Sequence, residues 1–327
     1  MVLEKIKGQE RARKILGSHL EKGHYHHAYL FHGPGGVGKR TAARHFARAI
    51  FCENEGPEAC GNCRACGQFD RGNHPDYQEI EAGDRTMGIE IIRELRRSLT
   101  LKPYQSQYRI FLISQVEKMT PQAANSFLKS LEEPPPSVIF ILTTDNRELL
   151  LPTINSRAFP ITFNFLGKKL IESFLAKEVA DPQKRRIIGE IAGGSLGVAC
   201  QLLEGDHFLE QRKELISRWS KMGKQSFLEV HDLVQWLEKE WEGDYYLFFQ
   251  LLQYWLRDLF YWKNGQQENL LHQDCLEFLE DEGERWKTVD LEKALITLDQ
   301  LQREKDRKIN WRLALEAALL QINSWRQ

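Results

Sequence analysis

Gly33-Pro34-Gly35-Gly36-Val37-Gly38-Lys39-Arg40-Thr41 is the stretch on which the reading of this chain turns. It follows the apolar run Ala28-Tyr29-Leu30-Phe31 and opens the helix-forming stretch Thr41 to Ile50. Strand, glycine loop and helix in that order make a P-loop. Glycines let backbone N–H groups close around phosphate oxygens, the helix N-terminus adds partial positive charge, and Lys39 reaches the outer phosphates. Two parts of a working ATPase are missing. Arg40 stands where a Ser or Thr should hold Mg²⁺. The strand Arg109 to Ile113 runs into Ser114-Gln115, where acidic residues for the metal and the attacking water belong. Thr41 does not replace the lost ligand, because one helical step turns a side chain by roughly 100°.

Outward from the loop, short apolar strands alternate with helices. Gly8 to Lys22 reads as a helix, Ala28 to Phe31 as a buried strand, and Tyr77 to Glu81 as a second strand. Ile89, Ile92, Leu95 and Leu99 share a helical face, Thr120-Pro121 starts a helix running to Leu131, and Val138 to Leu142 is another strand. This alternation argues for a parallel α/β sheet covered on both faces. From about Leu166 only helices follow. Lys168 to Ala180, Pro182 to Ala192 and a helix after Gly193-Gly194-Ser195 form a small unit, and Gly205-Asp206 separates it from longer helices. These are Phe208 to Lys221, Ser226 to Glu240, Tyr245 to Trp262, Leu291 to Arg307 and Asn310 to Trp325, the last with Leu313, Ala317, Leu320 and Ile322 or Trp325 as its packing face. The expected division is 1–165, 166–205 and 206–327.

Composition narrows the class. A length of 327 residues leaves room for two or three domains, and 42% apolar with 28% charged residues is ordinary for a globular protein. A net charge of −1 excludes a uniformly basic nucleic-acid binder. No apolar run approaches the roughly 20 residues of a membrane span, and the charged N-terminus is unlike a secretory signal, so the cytoplasm is the expected compartment. All eight tryptophans lie beyond residue 218, which marks a separate, aromatic-packed C-terminal domain.

Cys52, Cys60, Cys63 and Cys66 are spaced C-x7-C-x2-C-x2-C. In a reducing compartment that density suits a closed, structural Zn²⁺ site rather than disulfides. Cys200 and Cys275 stand alone and read as core residues. His24, His26 and His27 are a loop end before a strand; neighbours on an extended strand point to opposite faces and do not converge on a metal.

These motifs together resemble the bacterial DNA polymerase III clamp-loader subunits of the AAA+ class, and within them the delta-prime type. The resemblance covers nearly the whole chain. It rests on Ile6-Lys7-Gly8-Gln9-Glu10, His27 to Phe31 leading into the P-loop, the four-cysteine insertion, Ala124-Asn125-Ser126-Phe127-Leu128-Lys129-Ser130-Leu131-Glu132-Glu133-Pro134-Pro135, Thr143-Thr144, Ser156-Arg157 and Asn310-Trp311-Arg312-Leu313-Ala314-Leu315-Glu316. It implies an N-terminal AAA+ domain carrying the zinc insertion (about 52–66), a small helical lid and an all-α collar that mediates oligomerisation.

The family implies a heteropentamer of motor (tau/gamma), delta and delta-prime subunits that places a sliding clamp on primer–template DNA in replication, at the nucleoid. Its motors carry Ser or Thr after the P-loop lysine, Asp-Glu at the end of the third strand, and an arginine after Gly-Ser-Leu; this chain has Arg40, Ser114-Gln115 and Gly197. The resemblance therefore implies a hydrolytically dead subunit with no ATPase activity of its own. Gly33, Gly36, Gly38 and Lys39 keep the phosphate cradle beside Arg40 and Thr41, leaving ATP or ADP binding without hydrolysis open. The family's Ser-Arg-Cys arginine, which reaches the γ-phosphate on the adjacent subunit, corresponds to Arg157 in Ser156-Arg157-Ala158. Two alternatives stand beside this: an active motor ATPase, and a zinc-dependent nucleic-acid-binding module with a decayed P-loop. Arg93, Arg96, Arg97 and Lys102 are candidate DNA contacts or simply a solvated face.

Overall fold

The computed structural model describes residues 6–54, 56, 58–82, 86–204, 207–223, 226–241, 245–303 and 310–326. The charged start at 1–5, the Gly205-Asp206 boundary and the expected helical stretch 304–307 lie outside these residues. The chain divides into two compact units, Met1–Phe174 with Ala192–Val198, and Leu175–Ile191 with Ala199–Gln327. The segment 166–205, expected as a lid, is shared between them.

The first unit runs α1 (Glu10–Lys22), β1 (Ala28–His32), α2 (Lys39–Phe51), α3 (Arg64–Asp70), β2 (Tyr77–Glu81), α4 (Ile89–Leu99), β3 (Arg109–Ser114), α5 (Pro121–Glu132), β4 (Val138–Thr144), α6 (Pro152–Asn155) and β5 (Phe159–Thr162). The strands form one sheet ordered β2-β3-β4-β1-β5, and every pairing is parallel. All seven residues of β4 are buried. A strand covered on both faces must be apolar throughout, hence the continuous runs read from the sequence. Tyr29, Phe31, Ile110, Leu112 and Ile141 meet Leu16, Ala43 and Phe46 from α1 and α2 on one face. Leu30, Phe111, Ile113, Phe140 and Leu142 meet Ile92, Leu95, Phe127 and Leu131 from α4 and α5 on the other. α5 starts as expected, with Pro121 in its first turn and the Thr120 hydroxyl accepting from the Ala123 N–H at 3.2 Å.

β5 is the strand that pattern reading missed. It is short and contains Pro160, which a central strand excludes. Here Phe163 N–H donates to His32 O at 2.8 Å. The alternation of a strand then turns the position of Pro160 away from β1, toward the open edge of the sheet, where a missing donor costs nothing.

Helices α7 (Lys168–Glu178), α8 (Pro182–Ala192) and α9 (Leu196–Glu204) follow. The remainder is α10 (Phe208–Lys221), α11 (Phe227–Glu240), α12 (Tyr245–Lys263), α13 (Leu276–Glu284), α14 (Thr288–Arg303) and α15 (Trp311–Ser324). In the second unit Trp219, Trp255 and Trp286 are fully buried, bearing out an aromatic-packed core. At its centre Glu282 accepts from Trp255 Nε1 at 2.8 Å and Trp286 Nε1 at 3.0 Å, and pairs with Arg326 at 2.5 Å. The packing face of α15 differs from expectation: Leu313 and Ala317 are exposed, and Leu315, Ala318, Leu319 and Ile322 are buried. At about 100° per residue, Leu313, Ala317 and Leu320 lie on nearly the opposite side from the buried set, while Ile322, also expected, is buried; a helix with apolar residues most of the way round does not declare which side packs. Cys275 is buried and Cys200 half-buried.

Candidate functional site

The glycine loop leaves β1 and closes at the N-terminus of α2. Gly33 has φ +144°, and a β-carbon there would lie 2.0 Å from Phe163 O; Gly36 has φ +69°, and its β-carbon would lie 2.2 Å from Ser195 Oγ. The backbone carbonyl of Phe163 excludes a side chain at Gly33, and at Gly36 a side chain is strained by the positive φ and crowded by Ser195. Lys39 is 6% exposed. Its ammonium donates to Gly33 O at 2.6 Å and Pro34 O at 2.5 Å, and pairs with Asp145 Oδ1 at 2.7 Å. The loop is also gripped from outside. Ser195 Oγ donates to Gly35 O at 3.1 Å, and Gly197 N–H donates to Gly36 O at 2.8 Å.

Arg40 points elsewhere. Its guanidinium pairs with Glu79 at 2.9 Å and Glu81 at 2.6 Å, both on β2. Burial alone would raise the pKa of Glu79, but hydrogen bonds from Arg44, Tyr77 and Arg40 outweigh it and hold the carboxyl below its ordinary value. The Arg40 side chain is thus spent on two carboxylates rather than turned to phosphate. Thr41 is exposed. Ser114 is buried, and Gln115 alone among the described non-glycine residues has positive φ, at 55°. Gln115 N–H donates to Thr143 Oγ1 at 3.3 Å.

Arg157 lies far from this loop. Tyr29 pairs with Phe159 and His32 with Thr162, so β1 and β5 run in register. The P-loop leaves the C-terminal end of that pair and Arg157 precedes its N-terminal end. At about 3.3 Å per residue the separation along the strands is roughly 15–20 Å. Arg157 Nη2 pairs with Glu132 Oε1 at 3.0 Å, and Nη1 donates to Thr153 O at 3.1 Å and Ser156 Oγ at 3.3 Å.

The four cysteines converge: their Sγ atoms all lie within 4.8 Å of one another. A tetrahedron with Zn–S arms of about 2.3 Å has edges of about 3.8 Å, so the cluster can hold a metal ion and fits zinc with a small contraction. Backbone N–H groups already point at sulfur, Cys60 N–H to Cys52 Sγ at 3.2 Å and Cys66 N–H to Cys63 Sγ at 3.4 Å. Burial raises the Cys52 thiol and pushes the Cys66 thiol up to about 12. Hydrogen bonding from the Asn62 backbone brings the exposed Cys60 down to about 6. Among the described residues this is the one His/Cys/Asp/Glu group arranged for a metal; His24, His26 and His27 do not join one, and the His26 ring stacks on Phe159 at 4.3 Å. Arg93, Arg96, Arg97 and Lys102 are all exposed.

Two site residues carried no role in the sequence reading. Asp145, directly after Thr143-Thr144, is the counter-ion of Lys39. Gln9 is 3% exposed and bonds the Asn164 backbone both ways, Nε2 to O at 2.7 Å and N–H to Oε1 at 3.1 Å. It also reaches Val37 O in the P-loop at 3.4 Å. Neither had a signal beyond its neighbourhood, because a polar residue's partner is set by tertiary structure.

The parallel sheet with a glycine loop after β1 defines a P-loop α/β domain of the AAA+ class, followed by a helical part. Residues 8–166 match the family described as DNA polymerase III, delta subunit, and residues 206–324 match DNA polymerase III, delta subunit, C terminal. DNA polymerase III subunit delta' of Bacillus subtilis is 31% identical over 275 residues, 82% of this chain and 82% of that one. The delta' subunit of Pseudomonas aeruginosa is 32% identical over 204 residues, 61% of this chain and 62% of that one. DNA polymerase III subunit gamma of Buchnera aphidicola is 35% identical over 208 residues, 62% of this chain and 57% of that one. The chain belongs to the delta-prime family of DNA polymerase III clamp-loader subunits. No helix among the described residues is long and apolar enough to cross a membrane.

Proposed function

We propose that this chain is the catalytically silent member of a heteropentameric clamp loader, assembled with motor (tau/gamma) and delta subunits in the cytoplasm. In this reading Arg157 completes the ATP site of a neighbouring motor while the complex loads the sliding clamp on primed DNA. The observation that carries it is the placement of Arg157 at the end of the sheet opposite this chain's own P-loop. From there it serves only a phosphate brought by another subunit. A rigid, always-charged guanidinium stabilises charge on the transferring phosphoryl group, an effect worth about 10³–10⁵ in rate at other in-trans sites.

The chain's own loop supports silence. Arg40 is held by Glu79 and Glu81, and no carboxylate ends β3. Lys39 is neutralised by Asp145, so ATP or ADP enters only by displacing that carboxylate. Zn²⁺ on Cys52, Cys60, Cys63 and Cys66 is structural in this reading, with four ligands leaving no open position for water. Residues 1–165, 166–205 and 206–327 serve as AAA+ domain, lid and collar.

The test is the reconstituted complex carrying Arg157→Ala. Expected are intact assembly by size and a large loss of ATP turnover and clamp loading; unchanged turnover overturns the reading. DNA-stimulated ATPase by the isolated chain, abolished by Lys39→Ala, would make it a motor instead. Calorimetry with ATP and ADP on the wild type and on Asp145→Asn measures the competition at Lys39.

A further inference from the structure

The Arg157 guanidinium is anchored by two separate elements. Its Nη1 donates to Thr153 O and Ser156 Oγ, within the turn of α6 that carries Arg157 itself. Its Nη2 meets Glu132 Oε1 at 3.0 Å, at the last residue of α5. α5 is fixed by Phe127 and Leu131, which pack into the sheet core. Glu132 is therefore presented from a rigid helix, and it reaches the outer end of a long side chain that the α6 turn alone holds at one nitrogen.

We propose that Glu132 is a positioning residue for Arg157, fixing the plane of the guanidinium before a neighbour's phosphate arrives. The inference rests on the reading of Arg157 as an in-trans finger. An unrestrained arginine samples many rotamers, and a finger that must meet a phosphoryl group gains from being pre-oriented. Glu132 supplies this without closing the group off. A guanidinium has five N–H donors, and the three acceptors found here leave donors for phosphate oxygens. Thr153 and Ser156 sit on the arginine's own turn, itself packed on the sheet core through Ile154 and Ala158. Glu132 is the acceptor from a second element, and it holds the far end of the side chain.

The pair is a poor stability device. Arg157 and Glu132 are 34% and 47% exposed, and exposed ion pairs add little to folding. Substituting Glu132 should therefore leave folding and assembly unchanged while altering turnover, which separates positioning from structure.

The experiment compares Glu132→Gln, Glu132→Asp, Arg157→Ala and Glu132→Gln with Arg157→Ala in the reconstituted complex, reading kcat and KM for ATP together with assembly by size. Glu132→Gln keeps the shape but loses the charge, and about a tenfold fall in kcat at unchanged KM is expected. Glu132→Asp should recover part of that loss. In the Arg157→Ala background Glu132→Gln should change nothing further. An unchanged or increased kcat for Glu132→Gln overturns the proposal, as does an equal fall in the Arg157→Ala background. Full turnover by Arg157→Ala alone refutes the finger reading itself.

Discussion

The backbone N–H of Gly197 donates to Gly36 O across 2.8 Å, so the turn entering α9 is seated on the P-loop. Gly197 is also the position at which the resemblance implies an arginine in the motor subunits. The substitution is steric as well as chemical: a β-carbon at Gly197 would lie 2.7 Å from Gly36 Cα, a backbone atom that no rotamer change moves. Restoring the residue by Gly197→Arg should therefore force the turn off the loop, at a cost of about 1–3 kcal/mol. It should not create an ATPase, because Arg40 and Ser114-Gln115 remain. Thermal unfolding should show a lowered midpoint, and an ATPase assay no turnover. A variant with unchanged midpoint and measurable hydrolysis would contradict the steric account.

The cysteine cluster makes a second expectation. The stretch between Cys52 and Cys63 has no helix or strand among its described residues, and its buried apolar contribution is small, with Ala59 the member that joins the core. A metal bound by four thiolates contributes on the order of 10 kcal/mol locally. Elemental analysis should find close to one zinc per chain. Cys66→Ser, or exposure to a strong chelator, should release it and make residues 53–62 sensitive to protease while the sheet remains folded. Purified protein without zinc, or protease resistance that survives its removal, would remove the cluster's structural role.

Legibility in the sequence followed the range of the interactions involved. The central strands, α2, α5 and the four-cysteine cluster were readable because periodicity, capping and ligand spacing are local. β5 was missed because Pro160 argues against a strand unless it lies at an edge, and edge position is a property of the whole sheet. The wrong face was assigned to α15 because its apolar residues spread around most of the helix, and α11 and α14 decide which side packs. The site divided in the same way. Arg157 and Lys39 are candidates legible as motif positions, whereas Asp145, Gln9 and Glu132 become candidates only through partners that the fold brings near.

His272 gives the second unit a defined acid sensitivity. The ring is fully buried, Nδ1 is 2.8 Å from Asp258 Oδ2, and Nε2 has no hydrogen-bond partner among the described residues. Burial lowers its pKa, against the opposing pull of Asp258. A histidine depressed in the folded state takes up its proton more readily when unfolded. Its contribution is then complete above the unfolded value of about 6.5 and is lost as pH falls from there toward the folded value. Chemical denaturation at pH 7.5 and pH 5.5 should show a loss of stability that His272→Gln reduces. Equal pH dependence in both proteins would assign the effect to other groups.

Glu282 and Arg326 are 0% and 2% exposed and joined at 2.5 Å. The guanidinium carbon also lies 4.2 Å from the Trp219 ring centroid, which adds a cation–π contact. Replacing such a pair by apolar residues can be nearly neutral, but removing one partner leaves a buried charge uncompensated, at about 3–5 kcal/mol. Arg326→Met should incur that loss, because the two indole N–H donors on Glu282 are neutral and do not balance its charge. Adding Glu282→Gln should recover part of it, since the amide removes the buried charge and its single oxygen can still accept from one of the two indoles. Tryptophan fluorescence during urea unfolding is the suitable readout, because all eight tryptophans lie beyond residue 218 and report on the C-terminal helices alone. If Arg326→Met costs less than about 1 kcal/mol, or the double variant is as unstable as the single, then the pair is not what holds these indoles together.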